Sequence, residues 1–367
     1  MGLTIDIAPD ADKVGYSNST MSDVTNAKGA LDNLHQRMRT VEQIGSSALV
    51  SPRYKNNPLP AWKDNVKVLI IGNSLCAFPC FEMDNILNGF KNNGSIDLST
   101  TDVYIRDCHQ AGQPLKSWLS WMKSNTKITK YFGWRVSNGA WERYVNENTG
   151  LRTAVSDTEW DVIALQVYPN NYGTPEDSES YITFSNTLKD FVREIRTVCP
   201  NKKVAIAFIM VYPQSVGQSM TRETWESKWS SIVTATKQTV ADAGIDIVVP
   251  LGTVYANASN TNTFNGENTH FLMRDPSHPG FGVGQWMGAA TIWESLVAPV
   301  LGRSIMEIDT VAKANTYNQY GENESDYAAD IPIVATGDNE NLSLCKKIVM
   351  STIADMYNIT DDIDPIS

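Results

Sequence analysis

Val66-Lys67-Val68-Leu69-Ile70-Ile71-Gly72-Asn73-Ser74 is the stretch that decides the fold. Val66–Ile71 is apolar except at Lys67, a run too continuous for a strand with one wet face and too short for a helix. It predicts a strand buried on both faces, as in a parallel sheet. The run breaks at Gly72, and Ser74 follows on a turn that leads into a helix. A serine hydroxyl so placed is exposed at the rim of a sheet. There it serves as a nucleophile if a base is in reach and backbone N–H groups stand beside it. The same three residues, Gly-Asn-Ser, also suit a plain strand-to-helix turn with Ser as N-cap.

Outward from this strand, apolar runs alternate with helical periodicity. Strands are predicted at Val66–Ile71, Leu98–Arg106, Asp161–Val167, Lys203–Val211 and Asp246–Pro250. Between and after them come helices at Phe81–Lys91, Leu115–Lys123, Tyr181–Cys199, Thr224–Ala243 and Gly282–Leu301. This is the pattern of βαβ units. It predicts an α/β fold with three α/β/α layers around a mainly parallel, five-stranded sheet, with ligands bound at the carboxyl ends of the strands. The insertion YFGWRVSNGAWERYV, residues 131–145, reads as a hairpin turning at Ser137-Asn138-Gly139. With Trp118 and Trp121, its aromatics suit either a sugar-facing wall or packing over the sheet edge.

The ends differ from the middle. Residues 1–60 are polar, with one helical stretch over about 26–44, where Leu31, Leu34, Met38 and Val41 keep a three-four spacing. That helix either pairs with other copies, making a homo-oligomer through residues 26–44, or docks on its own domain. Ser51 to Pro60 reads as a linker. Residues 61–302 form the expected catalytic domain, and 303–367 a polar extension ending in a helix at Leu342–Met356 that packs back on it.

The second informative segment is Arg274-Asp275-Pro276-Ser277-His278-Pro279-Gly280. Asp275 and His278 are three residues apart, so on one turn the carboxylate can take a hydrogen bond from one imidazole nitrogen while the other faces Ser74. Many Asp-x-x-His pairs are ordinary surface loops. The case here rests on the two segments lying at opposite ends of one α/β pattern, both at strand ends. His270 is a rival base without an acid three residues before it, and His35 lies on the N-terminal helix.

Composition narrows the chemistry. A net charge of −11 over 367 residues, with no clustered Lys or Arg, argues against nucleic acid or an anionic membrane as partner. No run approaches the length of a membrane span, and Met1-Gly2-Leu3-Thr4-Ile5-Asp6 lacks the marks of a secretory signal. Cytoplasmic synthesis is the expectation. Cys76, Cys80, Cys108, Cys199 and Cys345 are an odd set without disulfide-scaffold spacing, and the C-x3-C pair has no partner Cys/His pair. They read as buried thiols rather than metal ligands. Walker, GxGxxG, HExxH and EF-hand patterns are absent, so neither metal nor other cofactor is expected.

Taken together, IGNSL and RDPSHPG resemble the SGNH (GDSL-like) hydrolases over about residues 66–300, in particular a branch that carries Gly-Asn-Ser in its first block. The resemblance implies a flavodoxin-like SGNH fold and a serine esterase with Ser74 as nucleophile, His278 as base and Asp275 as its orienting acid. It implies an oxyanion hole from the N–H groups of Ser74 and Gly112, the latter in CHQAGQPL. The family's third block carries Gly-x-Asn-Asp, where this chain has ALQVYPNN. The side-chain donor implied is then Gln166, with Asn170 and Asn171 as rivals. Asn73, His109, Tyr168 and Trp118 are the candidate substrate-binding residues.

The family leans toward carbohydrate O-acetyl esters, which makes an acetylated polysaccharide or another small ester the expected partner. An N-terminal arm on an unsignalled esterase resembles the build of phage tail proteins that trim surface glycans, a virion-associated location. The competing expectation, from the Gly-x-Asn-Asp departure, is an inactive glycan-binding module on the same fold.

Overall fold

The computed structural model describes residues 65–80, 82–92, 94, 102–128, 130–137, 140–146, 149–167, 178–213, 221–264, 272–275, 277–280, 282–311, 340–360 and 363. The N-terminal arm, its helix and His35 lie outside the described residues, as do Tyr168, Asn170, Asn171 and His270.

Five parallel strands carry the fold: β1 (Asn65–Gly72), β2 (Asp102–His109), β5 (Val162–Leu165), β6 (Ala205–Ile209) and β7 (Ile247–Val249). Their spatial order is β2-β1-β5-β6-β7. The chain thus steps to one side of β1 and then returns to build on the other. Open α/β sheets bind ligands at such a reversal, outside the carboxyl ends of the strands, which here is the end of β1. Burial follows the sequence pattern. Val66, Val68, Leu69, Ile70 and Ile71 are at most 1% exposed, so alternate side chains of β1 are buried on both faces.

The predicted hairpin forms from β3 (Lys130–Ser137) and β4 (Ala140–Asn146), with Ser137 opposite Ala140. It does not lie over the sheet. β3 pairs antiparallel with β2, and the hairpin extends the sheet to seven strands. The side chains of the hairpin are outside the described residues.

Helices fall into two groups by their contacts, one for each face. On one side, α3 (Leu115–Ser124), α4 (Leu151–Ser156), α5 (Ser178–Val198) and α6 (Arg222–Ala243) pack on one another. The other group comprises α1 (Ser74–Cys80), α2 (Met83–Asn92), α7 (Leu251–Ser259), α8 (Val283–Ile292), α9 (Ala298–Leu301) and α10 (Glu340–Ala354). The last long helix of the sequence reading is therefore α8 and α9 joined by a π-helical turn, Trp293–Val297. Helix α10 docks through buried polar bonds: Asn257 on α7 donates to Thr352 Oγ1 at 2.8 Å, and Thr253 donates to the Met356 carbonyl at 2.6 Å. No helix among the described residues is long and apolar enough to cross a membrane.

Candidate active site

The turn after β1 is tighter than the sequence suggests. The first helix after β1 is predicted to begin at Phe81, yet α1 begins at Ser74 itself, with Pro79 inside it. Asn73, not Ser74, is the cap: its Oδ1 accepts the Leu75 N–H at 3.0 Å, and its carbonyl accepts the N–H groups of Cys76 and Ala77. With Asn73 doing this, Ser74 occupies the first turn of α1, where backbone N–H groups have no intrahelical acceptor. Residues 71–80 are buried except Ser74, which is half-buried. One hydroxyl thus emerges from an otherwise closed turn.

Gly72 is required by space. A Cβ there would stand 2.7 Å from Cys76 Sγ and from Gln166 Oε1, closer than such contacts allow. Gln166, just past the end of β5, fills that place. Its backbone N–H donates to the Ile71 carbonyl at 2.9 Å, its Oε1 accepts the Asn73 N–H at 2.8 Å, and its Nε2 donates to the Val167 carbonyl at 2.7 Å. On the other side of β1, the Gln110 N–H donates to the Gly72 carbonyl at 3.1 Å, tying the loop after β2 to the same turn. Gly112 lies on that loop, exposed, at φ +62°, a left-handed conformation that glycine adopts without strain.

The candidate base, His278, arrives from far along the chain. Met273 and Pro279 form an antiparallel bridge, and the Arg274 N–H donates to the His278 carbonyl at 2.9 Å, so the backbones of Arg274 and His278 are drawn together. Asp275 Oδ1 accepts the N–H groups of Ser277 at 2.7 Å and His278 at 2.9 Å. The Tyr212 hydroxyl donates to the Ser277 carbonyl at 3.0 Å, anchoring the loop to the segment after β6. A fixed backbone loop therefore delivers a fixed imidazole.

That imidazole bridges the two segments. His278 Nδ1 is 2.8 Å from Asp275 Oδ2, and its Nε2 is 2.9 Å from Ser74 Oγ. Burial pushes the Asp275 carboxyl up, but bonds from the His278 ring and from the Ser277 and His278 N–H groups outweigh it and hold the carboxyl below its ordinary value. The acid is therefore ionised at neutral pH. It can only accept, so Nδ1 carries the proton and Nε2 is left to accept from the Ser74 hydroxyl. Phe78, one helical turn after Ser74, sits against the His278 ring, and the Arg274 guanidinium lies over the Phe78 ring. Sequence reasoning missed both residues. Their signal is spacing: Ser74 and Phe78, like Arg274 and His278, are four apart.

The remaining candidates are placed less directly. Gln166 comes to the turn, but its carboxamide is turned into the protein rather than offered as an oxyanion donor. Asn73 is 2% exposed and serves as a cap rather than facing a substrate. His109 is 3% exposed, level with Gly72 in the sheet. Trp118 is a core side chain, 1% exposed and edge-on to Trp121 at 5.3 Å, so it forms no sugar-facing wall. Its spacing on amphipathic α3 decides this: it shares the buried face with Leu115 and Met122. All five cysteines are buried and unpaired. Burial pushes the Cys76 and Cys80 thiols well up, so neither rivals Ser74 as a nucleophile. Among the described residues, no group of three His, Cys, Asp or Glu could hold a metal ion.

Residues 67–320 match the model of a domain of unknown function, DUF4886. The fold is similar to a crystal structure of a DUF4886 family protein from Bacteroides uniformis ATCC 8492, at TM-score 0.58 and 19% identity, over 81% of this chain and 98% of that one. It is more distantly similar to the acetyl xylan esterase AlAXEase, at TM-score 0.41 and 13% identity, over 62% of this chain and 98% of that one. A catalytic mutant of Axe2, an acetylxylan esterase from Geobacillus stearothermophilus, follows at TM-score 0.38 and 10% identity, over 65% and 96% of the two chains. No curated protein matches the sequence. The chain belongs to the DUF4886 family, and the order of its five parallel strands, β2-β1-β5-β6-β7, is the flavodoxin-like one.

Proposed function

We propose that this DUF4886 protein is a serine esterase. One observation carries the reading: a single imidazole, that of His278, bonds Ser74 Oγ at 2.9 Å and Asp275 Oδ2 at 2.8 Å. Nucleophile and orienting acid are each in hydrogen-bond reach of the base between them, which is the arrangement acyl transfer needs.

The cycle follows from the atoms. Nε2 of His278 takes the Ser74 proton as Oγ attacks the ester carbonyl carbon. The carbonyl oxygen becomes an oxyanion received by the N–H groups of Ser74 and Gly112. The imidazolium, stabilised by ionised Asp275, then gives its proton to the departing alkoxide as the C–O bond breaks. Water repeats the sequence on the acyl-enzyme, releasing the acid and restoring Ser74. Preformed donors are worth about 2.7–4 kcal/mol each in such a step.

For substrate we propose O-acetyl esters of carbohydrate, the class toward which the SGNH resemblance leans. The openness of the site supports it. The Asp275 side chain is 39% exposed and the His278 ring 23%, so a bulky polymer could present a short acyl group without being engulfed. The intact triad geometry favours an enzyme over an inactive glycan-binding module.

Hydrolysis of p-nitrophenyl acetate by the full chain and by Ser74→Ala tests the reading. Turnover in the parent, lost in a folded variant, is expected. A parent without turnover on this ester, acetylated xylan, O-acetylated sialic acid or acetylated capsule would favour the binding module.

A further inference from the structure

We propose that Gln166 is a positioning residue that locks the nucleophile turn from beneath, and that it does not touch the substrate. The proposal rests on the esterase reading for its kinetic consequence, though not for its geometry. Gln166 is 1% exposed, and both ends of its carboxamide are used inside the protein. Its Oε1 takes the Asn73 N–H at 2.8 Å while its Nε2 gives a bond to the Val167 carbonyl at 2.7 Å. The amide orientation is fixed by these partners, since an N–H must meet the oxygen and a carbonyl the NH2; a flipped amide would place like against like at both ends.

The turn is then held on each side. Gln166 grips the Asn73 N–H, and the Asn73 side chain is held by the start of α1 through Leu75. The backbone of Gln166 also bonds Ile71, so residues 71 and 73 are tied to one residue of the neighbouring strand end. Ser74 follows at once, and its Oγ inherits that rigidity. Gly72 completes the device by leaving room: a Cβ would meet Gln166 Oε1 at 2.7 Å and its Cβ at 2.9 Å. A nucleophile displaced by about 1 Å can lose on the order of 10²-fold in rate, so a buried brace of this kind acts on kcat.

Gln166→Met keeps length and apolar bulk but breaks both side-chain bonds. Two quantities are read at one pH: turnover of p-nitrophenyl acetate, and amide hydrogen exchange over residues 72–76 in substrate-free protein. The expected result is a kcat lowered about tenfold to hundredfold with KM within about twofold, and faster exchange at Asn73 while the strands keep their protection. Gln166→Glu, neutral when protonated in this buried place, retains an acceptor for Asn73 and a donor for Val167. It should restore most of kcat, its rate relative to the parent falling as pH rises and the carboxyl ionises.

Lost turnover in Gln166→Met with unchanged exchange at Asn73 would make Gln166 a direct oxyanion donor and overturn the proposal, as would unchanged turnover. If Gln166→Met does not fold, Gln166→Glu carries both measurements: failure to restore turnover, or exchange at Asn73 that does not follow its ionisation, overturns the role. A parent that hydrolyses no ester sinks the esterase reading instead. The exchange measurement, which needs no substrate, then decides the brace alone.

Discussion

The Phe78 ring lies 4.7 Å from the His278 imidazole, tilted by 50°, and the Arg274 guanidinium stands 4.3 Å from the centre of the same Phe78 ring. Because Phe78 is one turn beyond Ser74 on α1, a single short helix carries both the proposed nucleophile and the platform against which the proposed base, His278, rests. The imidazole is then restrained by a hydrogen bond at each nitrogen and by a ring on its flank.

Removing that flank should loosen the base without removing it. Phe78→Leu keeps an apolar side chain, so it should cost on the order of 1 kcal/mol of stability while lowering kcat about tenfold through a less well-aimed His278. Steady-state kinetics beside thermal unfolding check this. A kcat unchanged from the parent would mean that the Asp275 bond alone orients the ring.

Asp275→Asn separates the loop from the charge. An asparagine oxygen can still accept the Ser277 and His278 N–H groups, as Asp275 Oδ1 does, so the loop should hold. The imidazole, however, loses its anionic partner and its fixed tautomer. Turnover should fall about 10⁴-fold, as in other serine triads, with near-native circular dichroism and melting. A loss of only a few-fold would remove Asp275 from the chemistry.

The parts of this site that were legible in the sequence are those with short-range signatures. The apolar run Val66–Ile71 carries its own burial, and Asp275 and His278 carry their own spacing. Gln166 was legible as a participant but not in its role. Which way a carboxamide turns is decided by a carbonyl one residue on and an N–H across the strand pair, neither of which a side-chain pattern records. Trp118 failed for a related reason: aromatic content was counted where helical phase mattered. The start of α1 was missed because Pro79 reads as a breaker, whereas at the sixth position of a short helix it removes one donor and leaves the first turn intact.

Gly72→Ala forces one methyl into a place that already holds Cys76 Sγ and Gln166 Oε1 at 2.7 Å. Overpacking of this kind costs about 1–3 kcal/mol. Here relief requires either the brace or the turn to shift, so turnover should fall as well. Denaturant unfolding and p-nitrophenyl acetate assays of the same sample check both. Near-native stability with near-native turnover would show the turn to be more yielding than its bonds imply.

Asn257→Ala should weaken the molecule while sparing the site. Asn257 spans from α7 to α10, donating to Thr352 Oγ1 and accepting the Thr360 N–H, both at 2.8 Å. Truncation strands the buried Thr352 hydroxyl and the half-buried Thr360 N–H at a cost of about 1–3 kcal/mol, read as a shifted denaturation midpoint. The turnover of the folded fraction should match the parent, because neither helix end contributes to the Ser74–His278 pair.

Glu82 gives the fold a pH dependence of its own. It is 0% exposed between α1 and α2, with one carboxyl oxygen bonded by Asn85 Nδ2 and the other without a hydrogen-bond partner among the described residues. Burial is the main cause that pushes its pKa up, to about 8; the Asn85 bond opposes this and the Asp84 charge adds to it. In the unfolded chain the same carboxyl ionises near its ordinary 4.5. Between these values the unfolded state has released a proton that the folded state keeps. Stability therefore falls as pH rises from about 4.5 and levels once the folded form ionises too, near 8. One proton limits the slope to about 1.4 kcal/mol per pH unit. Glu82→Gln presents a similar shape with no proton to lose, so its unfolding free energy should decline less between pH 5 and 8, by roughly that slope where the titration is complete. Asp107, also buried and pushed well up, contributes with the same sign and is untouched by the substitution, so a residual slope is expected. Parallel stability curves for the two proteins would mean that Glu82 is already ionised in the native state, with its charge satisfied by something other than Asn85.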